Sequence, residues 1–411
     1  MTARTMVVVG ASLAGLRAAE TFRTDGFDGR VVMVGAEAHL PYDRPPLSKA
    51  MLAGDWEPDR IHLRKAEALG QLDLELHLGV PAERLDVAGR TLHLADGRDL
   101  AFDGCVIATG ASPRRLPGQP VGWTGLHELR TLDDSLTLRA DLTDHGPRRV
   151  VVIGAGFIGA EVAATARKLG HQVTVLEALP APLVRGLGEA MGNAIGAVHT
   201  ANGVDLRCNV GVAGFAGDGR VEGVVLADGT TIAADVVVVG VGVTPNIGWL
   251  QDSVLTLGNG IVCDAFLRAA PGVYAAGDVA CWPYNGDGPL TRIEHWSNAN
   301  EQGSHAAANL LAELNGEAPT PFTTQPFVWS DQYDRRIQVL GRVSGDHEIV
   351  VAHGSVDDGA FITLYGDAGR LMGVLGVNLP KKLAGYRKLL AAGASWPEAL
   401  AHARVVETPT T

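Results

Sequence analysis

The sequence predicts an α/β protein: two doubly wound units, each a parallel sheet flanked by helices, then a C-terminal α+β domain with an antiparallel sheet. Two observations carry this. An apolar run ends in a glycine-rich turn and opens into a helix twice, at Met6-Val-Val-Val-Gly10-Ala-Ser12-Leu-Ala-Gly15 and at Arg149-Val-Val-Val-Ile-Gly154-Ala-Gly156-Phe-Ile-Gly159. From about Pro319 the pattern changes to short strands without such a turn.

Each turn has a physical reading. A buried strand ends where the first glycine allows a tight turn. A second glycine lets backbone approach a pyrophosphate. The third lets the following helix pack on the strand, with its free N–H groups facing the anion. Gly154, Gly156 and Gly159 meet this pattern in full. In the first turn Ser12 stands between Gly10 and Gly15, a small residue whose backbone N–H still points the right way. An acidic residue is expected about 20 residues later to bind ribose hydroxyls. Glu37 follows Arg30-Val-Val-Met-Val-Gly35, and Glu177 follows Val173-Thr-Val-Leu176. These are Rossmann-like dinucleotide-binding units, and a chain that holds two dinucleotides is most simply one that passes electrons between them.

The remaining elements follow in order. Helices are read at Leu13–Asp25 and Phe157–Leu169, stopped by Gly26 and Gly170. Asp96-Gly97 and Asp228-Gly229 mark hairpins. Each precedes a continuous apolar strand ending in glycine: Gly104-Cys-Val-Ile-Ala-Thr109-Gly110 in one unit, Asp235-Val-Val-Val-Val-Gly240-Val-Gly242 in the other. The second unit is thus inserted into the first, whose strands resume at Val273-Tyr-Ala-Ala-Gly277-Asp278. Strands at Ile337–Gly341, Glu348–His353, Phe361–Tyr365 and Leu371–Val377, with a helix at Leu383–Ala391, form the third domain. The predicted partition is 1–112 with 245–318, then 113–244, then 319–411. The tail Glu407–Thr411 reads as disordered.

Composition bounds the function. Of 411 residues 46% are apolar, enough for large cores, and 52 are glycine. A net charge of −12 argues against nucleic-acid or anionic-membrane partners. No secretory signal and no run of 18 apolar residues is visible. Cys105, Cys208, Cys263 and Cys281 form no C-x-x-C pair, so they read as buried small residues in a reducing cytoplasm, and no metal site is expected. Ser297 or Asn298 reads as a helix N-cap, with Glu301 completing a capping box and the helix running through Leu310.

The chain resembles the two-dinucleotide-binding-domain flavoproteins of the glutathione-reductase-like fold. Within them it is similar to the NADH-dependent ferredoxin reductases of oxygenase systems. Leu40-Pro-Tyr-Asp-Arg44-Pro-Pro-Leu-Ser-Lys49, Ile107-Ala-Thr-Gly-Ala111, Gly240-Val-Gly-Val-Thr-Pro-Asn246, Ala276-Gly-Asp278, Glu294-His-Trp-Ser-Asn298 and Trp329-Ser-Asp-Gln-Tyr333 carry the closer match, in that order along the chain.

The resemblance implies FAD on the first unit and the nicotinamide nucleotide on the second. Gly10, Ser12 and Gly15 would cradle the flavin pyrophosphate, Glu37 the adenosine ribose, and Asp278 the phosphate–ribityl region. Arg44 and Lys49 would line the flavin, and Gly110 would let backbone pass close to it. Lys49 and Glu161 would meet near flavin N5, where the ammonium stabilises reduced flavin and the carboxylate orders it. The terminus of the helix near Ser297 would face the pyrimidine ring, flanked by Trp296 and Trp329. Thr109, Gly242, Glu294 and His295 join the cofactor-binding set through the matching segments. Glu177 would disfavour a 2′-phosphate, a preference for NADH that nearby Arg185 could soften. The thiol pair of disulfide reductases is missing from Arg44-Pro-Pro-Leu-Ser-Lys49-Ala-Met-Leu.

The implied activity is hydride transfer from NADH to FAD, then single electrons to a [2Fe–2S] ferredoxin that serves a P450 or a ring-hydroxylating dioxygenase. Two alternatives stay open: a reductase of small acceptors or oxygen, resembling monodehydroascorbate reductase, and a redox sensor resembling apoptosis-inducing factor. A monomer or weak dimer is expected. An acidic ferredoxin would need a local basic patch, for which Arg292, Arg335, Arg336, Lys381, Lys382, Arg387 and Lys388 are candidates.

Overall fold

The computed structural model describes residues 4–406, with side chains to 403; the tail Glu407–Thr411 lies outside the described residues. The chain divides into two compact units. One holds the chain up to Asp43, Asp59–Ser112 and Val243–Thr324. The other holds Arg44–Pro58, Pro113–Gly242 and the chain from Gln325 onward.

The first unit is built on a six-stranded sheet in the order Arg268–Ala270, Val273–Ala275, Gly104–Ile107, Thr5–Val9, Arg30–Gly35, Leu74–Leu78. The last five run parallel; Arg268–Ala270 pairs antiparallel with Val273–Ala275. Strands covered on both faces read as unbroken apolar runs, and Met6, Val7, Val8, Val31, Val32 and Val106 are all buried in one core. The helix Leu13–Thr24 buries Leu13, Leu16, Ala19 and Phe22, the face its spacing predicts. It packs on the helix Trp296–Leu314. Gly303 sets that approach, because a Cβ there would lie 2.2 Å from the carbonyl oxygen of Ala14. The Asp96-Gly97 turn joins antiparallel strands Thr91–Leu94 and Asp99–Ala101.

The second unit contains a five-stranded parallel sheet in the order Asp205–Arg207, Gln172–Leu176, Arg149–Ile153, Val236–Val239, Leu126–His127. The Asp228-Gly229 turn joins Val221–Leu226 to Thr231–Ala233. Leu52, from the Arg44–Pro58 segment, lies in the core formed by Val150, Val152 and Val162. The C-terminal part is a five-stranded antiparallel sheet in the order Phe327–Gln332, Arg335–Gly341, Arg370–Val377, Ala360–Asp367, Glu348–Ser355. Helices Pro380–Ala391 and Trp396–Val406 follow.

The first strand of that sheet and the last helix are absent from the sequence reading. Phe327–Gln332 escapes because its buried side chains at Ser330 and Gln332 are polar, the reverse of the alternation that marks a half-buried strand. Among the described residues no helix is long and apolar enough to cross a membrane.

Candidate functional site

The two glycine turns are built alike. Gly10 N–H donates to Val34 and Gly154 N–H to Leu176, each at 2.7 Å. A Cβ at Gly10 would lie 2.1 Å from the carbonyl oxygen of Ala108, and one at Gly154 2.3 Å from that of Gly240. A Cβ at Gly15 would lie 1.8 Å from the Gly10 oxygen, and one at Gly159 2.0 Å from the Gly154 oxygen. The protein's own packing therefore demands the outer glycines. Gly156 is different: a Cβ there meets no protein atom within 4 Å. Glycine at that position suits a ligand that approaches the backbone, and the turn opens into the helix Phe157–Lys168, whose first N–H groups suit an anion. Ser12 begins the helix Leu13–Thr24 without using its side chain as a cap. Both turns fit a dinucleotide pyrophosphate.

The acidic residues are already engaged. Glu37 accepts a hydrogen bond from the Tyr42 hydroxyl. Glu177 accepts from Ala155 N–H through Oε2 at 2.8 Å and from Leu179 N–H through Oε1 at 2.9 Å. It thereby ties its strand end to the glycine turn, a task that the sequence does not reveal. A carboxylate has further lone pairs for ribose hydroxyls. Arg185 stands exposed in the first turn of the helical segment Val184–Ala201.

In the first unit Asn246 stitches Thr109 and Gly110 to the returning chain. Its Nδ2 donates to Thr109 O at 2.9 Å, its N–H to Gly110 O at 2.9 Å, and its carbonyl accepts from Thr109 Oγ1 at 3.0 Å. Gln302 Oε1 holds the N–H of Gly277 at 2.8 Å, beside Asp278. Trp296 Nε1 donates to Asp43 Oδ1 at 2.6 Å. Burial pushes the His295 imidazole down to about 4.

The helix start differs from its sequence reading. The helix runs Trp296–Leu314, past Leu310, and its N-cap is His295, with no side-chain cap. Asn298 is fully buried and donates to Ile293 O at 3.1 Å, while Glu301 accepts from the Thr324 hydroxyl at 2.7 Å. The capping-box spacing is present, but Asn298 bonds back to the chain before the helix and Glu301 bonds to distant Thr324.

The second unit brings Lys49 and Glu161 together. A 3-10 turn, Pro45–Ser48, delivers Lys49, and Glu161 lies in the helix Phe157–Lys168. Lys49 Nζ is 2.6 Å from Glu161 Oε2, Ser48 Oγ 2.5 Å from the same oxygen, and Ser330 Oγ 2.7 Å from Oε1. Thr165 Oγ1 anchors Ser48 O and Ser135 Oγ anchors Leu47 O, both at 2.8 Å. Arg44 is held by a bond to Arg130 O at 2.6 Å, and Trp329 stacks on Phe327 with ring centroids 5.8 Å apart. Sequence reasoning found the pair through resemblance and missed Ser48 and Ser330. Both stand inside segments that carried the resemblance.

The basic candidates divide. Arg292 is no docking charge: its side chain is 7% exposed, paired with Glu294 at 2.7 Å and bonded to Asp278 O at 3.1 Å. Arg335 pairs with Asp334 at 2.7 Å, Arg336 lies 3.9 Å from Asp331, and Arg387 covers the Phe327 ring at 5.6 Å. Lys382 Nζ is 3.3 Å from His353 Nδ1. Lys381 and Lys388 are exposed on the helix Pro380–Ala391. All four cysteines are unpaired; Cys105, Cys263 and Cys281 are buried, and Cys208 is partly exposed against its sequence reading. Burial pushes the Cys105 thiol up to about 12.

Comparisons with known proteins agree with this geometry. Residues 4–303 match the pyridine nucleotide-disulphide oxidoreductase family, and residues 327–408 match the reductase C-terminal family. Rhodocoxin reductase of Rhodococcus erythropolis is 39% identical over 388 residues, 94% of this chain and 89% of that protein. The ferredoxin–NAD(+) reductase component of the p-cumate 2,3-dioxygenase system of Pseudomonas putida is 39% identical over 387 residues, 93% of this chain and 92% of that protein. The reductase in the covalent putidaredoxin reductase–putidaredoxin complex matches with a TM-score of 0.89 at 32% identity, covering 96% of this chain and 94% of that one. With its two glycine turns, its parallel sheets and its C-terminal antiparallel sheet, the chain belongs to the pyridine nucleotide-disulphide oxidoreductase family and carries a reductase C-terminal domain.

Proposed function

We propose that the chain is an NADH:ferredoxin oxidoreductase with FAD and NAD(H) as its cofactors and a [2Fe–2S] ferredoxin of a P450 or ring-hydroxylating dioxygenase system as its partner. The observation that carries this is the doubled glycine turn, each copy closed by the protein's own backbone, with the backbone left open to a ligand at Gly156. The names of the relatives supply the acceptor class. Bound FAD supplies the conversion of a two-electron hydride into single electrons.

The chain's own residues bind, orient and hold charge. On this reading Gly10, Ser12, Gly15, Glu37, Arg44, Thr109, Gly110, Asp278, Glu294, His295, Trp296 and Trp329 serve FAD. Gly154, Gly156, Gly159, Glu177, Arg185 and Gly242 serve the nicotinamide nucleotide. Lys49, ordered by Glu161, offers positive charge where negative charge develops. The functional partition is 1–112 with 245–318 for FAD, 113–244 for NAD, and 319–411 for the partner face. The unpaired cysteines suit a reducing cytoplasm, where we place the protein.

The purified protein should be yellow and should release free FAD on acid treatment. A 2′-phosphate about 4 Å from Glu177 would be repelled by roughly 4 kcal/mol at an effective dielectric near 20, reduced by screening to about 1–3 kcal/mol. NADH should therefore exceed NADPH in kcat/KM by about tenfold to a hundredfold. A colourless protein that FAD cannot reconstitute sinks the reading, and equal kcat/KM for the two nucleotides removes Glu177 from it.

A further inference from the structure

Glu161 is 3% exposed, and a buried carboxylate must be paired and hydrogen-bonded to stay ionised. Ser48 and Lys49 serve one oxygen. The other is served by Ser330, from the strand Phe327–Gln332, and the polar contacts continue beyond it. Gln332 Nε2 lies 3.0 Å from Ser330 Oγ. His199 Nε2 lies 2.9 Å from Gln332 Oε1. The Tyr333 hydroxyl lies 3.3 Å from His199 Nδ1, with the two rings edge to face. Ser330, Gln332 and His199 are each at most 2% exposed. Ser330 and Gln332 stand two residues apart and share one face of their strand.

The direction of each bond is forced. An ionised carboxylate only accepts, so Ser330 gives its one proton to Glu161. Ser330 Oγ can then only accept, which turns the amino group of Gln332 toward it and the amide carbonyl toward His199. That carbonyl also only accepts, so His199 carries its proton on Nε2 and leaves Nδ1 as an acceptor for Tyr333. Burial holds the His199 pKa down, as a neutral ring requires. Every donor points toward Glu161, and bonds aligned in this way polarise one another.

We propose that Ser330, Gln332 and His199 are positioning residues for the Lys49–Glu161 pair, joined in a one-directional hydrogen-bond chain that fixes the Glu161 carboxylate. This rests on the role given above to that pair. A sheet core would ordinarily place apolar side chains at positions 330 and 332. Three buried polar side chains in series, each satisfied by the next, are accounted for by the carboxylate at the end.

Two measurements on the full-length, FAD-loaded protein test the chain. The first needs no turnover. Long-range 1H–15N spectra should show His199 neutral and protonated on Nε2 at neutral pH. The signal is assigned by its loss in His199→Gln or, if that variant does not fold, by its shift in Tyr333→Phe. An imidazolium, or a ring protonated on Nδ1, overturns the proposal. The second is the rate of flavin reduction at saturating NADH. Ser330→Ala should slow it about tenfold, the effect of one buried bond to a charged group, and Gln332→Leu should slow it by up to that much, because it leaves the Ser330 hydroxyl without its donor. The NADH dissociation constant should stay within a factor of a few. The double variant should be no slower than the slower single, because both break the same chain. Ser330→Thr should restore the rate. Wild-type rates in both single variants, additive losses, or a Ser330→Thr as slow as Ser330→Ala overturn it. If NADH fails to reduce the wild-type flavin, the functional reading falls by itself, and the His199 spectrum still decides the chain.

Discussion

Glu161 and Lys49 are not equivalent under mutation, because one is buried and the other partly wet. Their side chains are 4% and 21% exposed. Removing Lys49 leaves a buried carboxylate with only hydroxyl donors, a change that costs up to about 3–5 kcal/mol. Removing Glu161 leaves an ammonium that water can reach. We therefore expect Lys49→Ala to lower the denaturant midpoint more than Glu161→Gln does. Both should slow flavin reduction on the order of a hundredfold while changing FAD affinity little, because the pair acts on developing charge. Stopped-flow reduction rates beside FAD dissociation constants check this; wild-type reduction rates in both variants would displace the pair from the site. At this scale the sequence is legible only in part. The glycines declare themselves through spacing, and Lys49 and Glu161 through resemblance. Ser48 and Ser330 do not, because which hydroxyl reaches a carboxylate is settled by tertiary contact between distant segments. Glu177 is legible as an acidic strand end, yet its bonds to Ala155 and Leu179 N–H are not.

Elements were legible where one physical rule dominates. The buried parallel strands Thr5–Val9 and Arg149–Ile153 are continuous apolar runs, and Gly26 and Gly170 end their helices as expected. The rules failed where burial overrides local pattern. Asn298 has the spacing of a cap but is buried as a bonding group, so the helix begins at Trp296. The strand Phe327–Gln332 hides its identity by burying Ser330 and Gln332. Helix contact gives the sharpest test here. Gly303 meets the Ala14 backbone, which cannot yield as a flexible side chain would. Gly303→Ala should therefore destabilise by about 1–3 kcal/mol, against the small gain expected of alanine in an unconstrained helix. Denaturant unfolding monitored by released flavin checks it, and an unchanged or higher midpoint would mean that the two helices do not approach as closely as described.

At the scale of the whole molecule, charge governs the encounter with a protein partner. The chain carries a net −12, and an acidic ferredoxin would be repelled at long range unless basic groups are clustered. Ion pairing and burial leave Lys381, Arg387 and Lys388, on the helix Pro380–Ala391, as the exposed candidates, and Arg387 is engaged over the Phe327 ring. Lys381→Glu with Lys388→Glu should raise the ferredoxin KM by about three- to tenfold, with the effect fading as salt shortens a Debye length of roughly 8 Å. NADH-to-ferricyanide activity should be unchanged, since ferricyanide needs no docked surface. An unaltered ferredoxin KM would take that helix out of the interface. The central claim, that electrons pass from NADH through FAD to a ferredoxin, is tested most directly by anaerobic double-mixing stopped flow. The protein is first reduced with stoichiometric NADH and then mixed with a panel of oxidised [2Fe–2S] ferredoxins of oxygenase systems. The account predicts rapid bleaching of the flavin band in the first mix. In the second, the flavin band should return as at least one ferredoxin is reduced, with two ferredoxins reduced per NADH. A flavin that NADH reduces but that no ferredoxin reoxidises, while quinone or oxygen does so quickly, would contradict it.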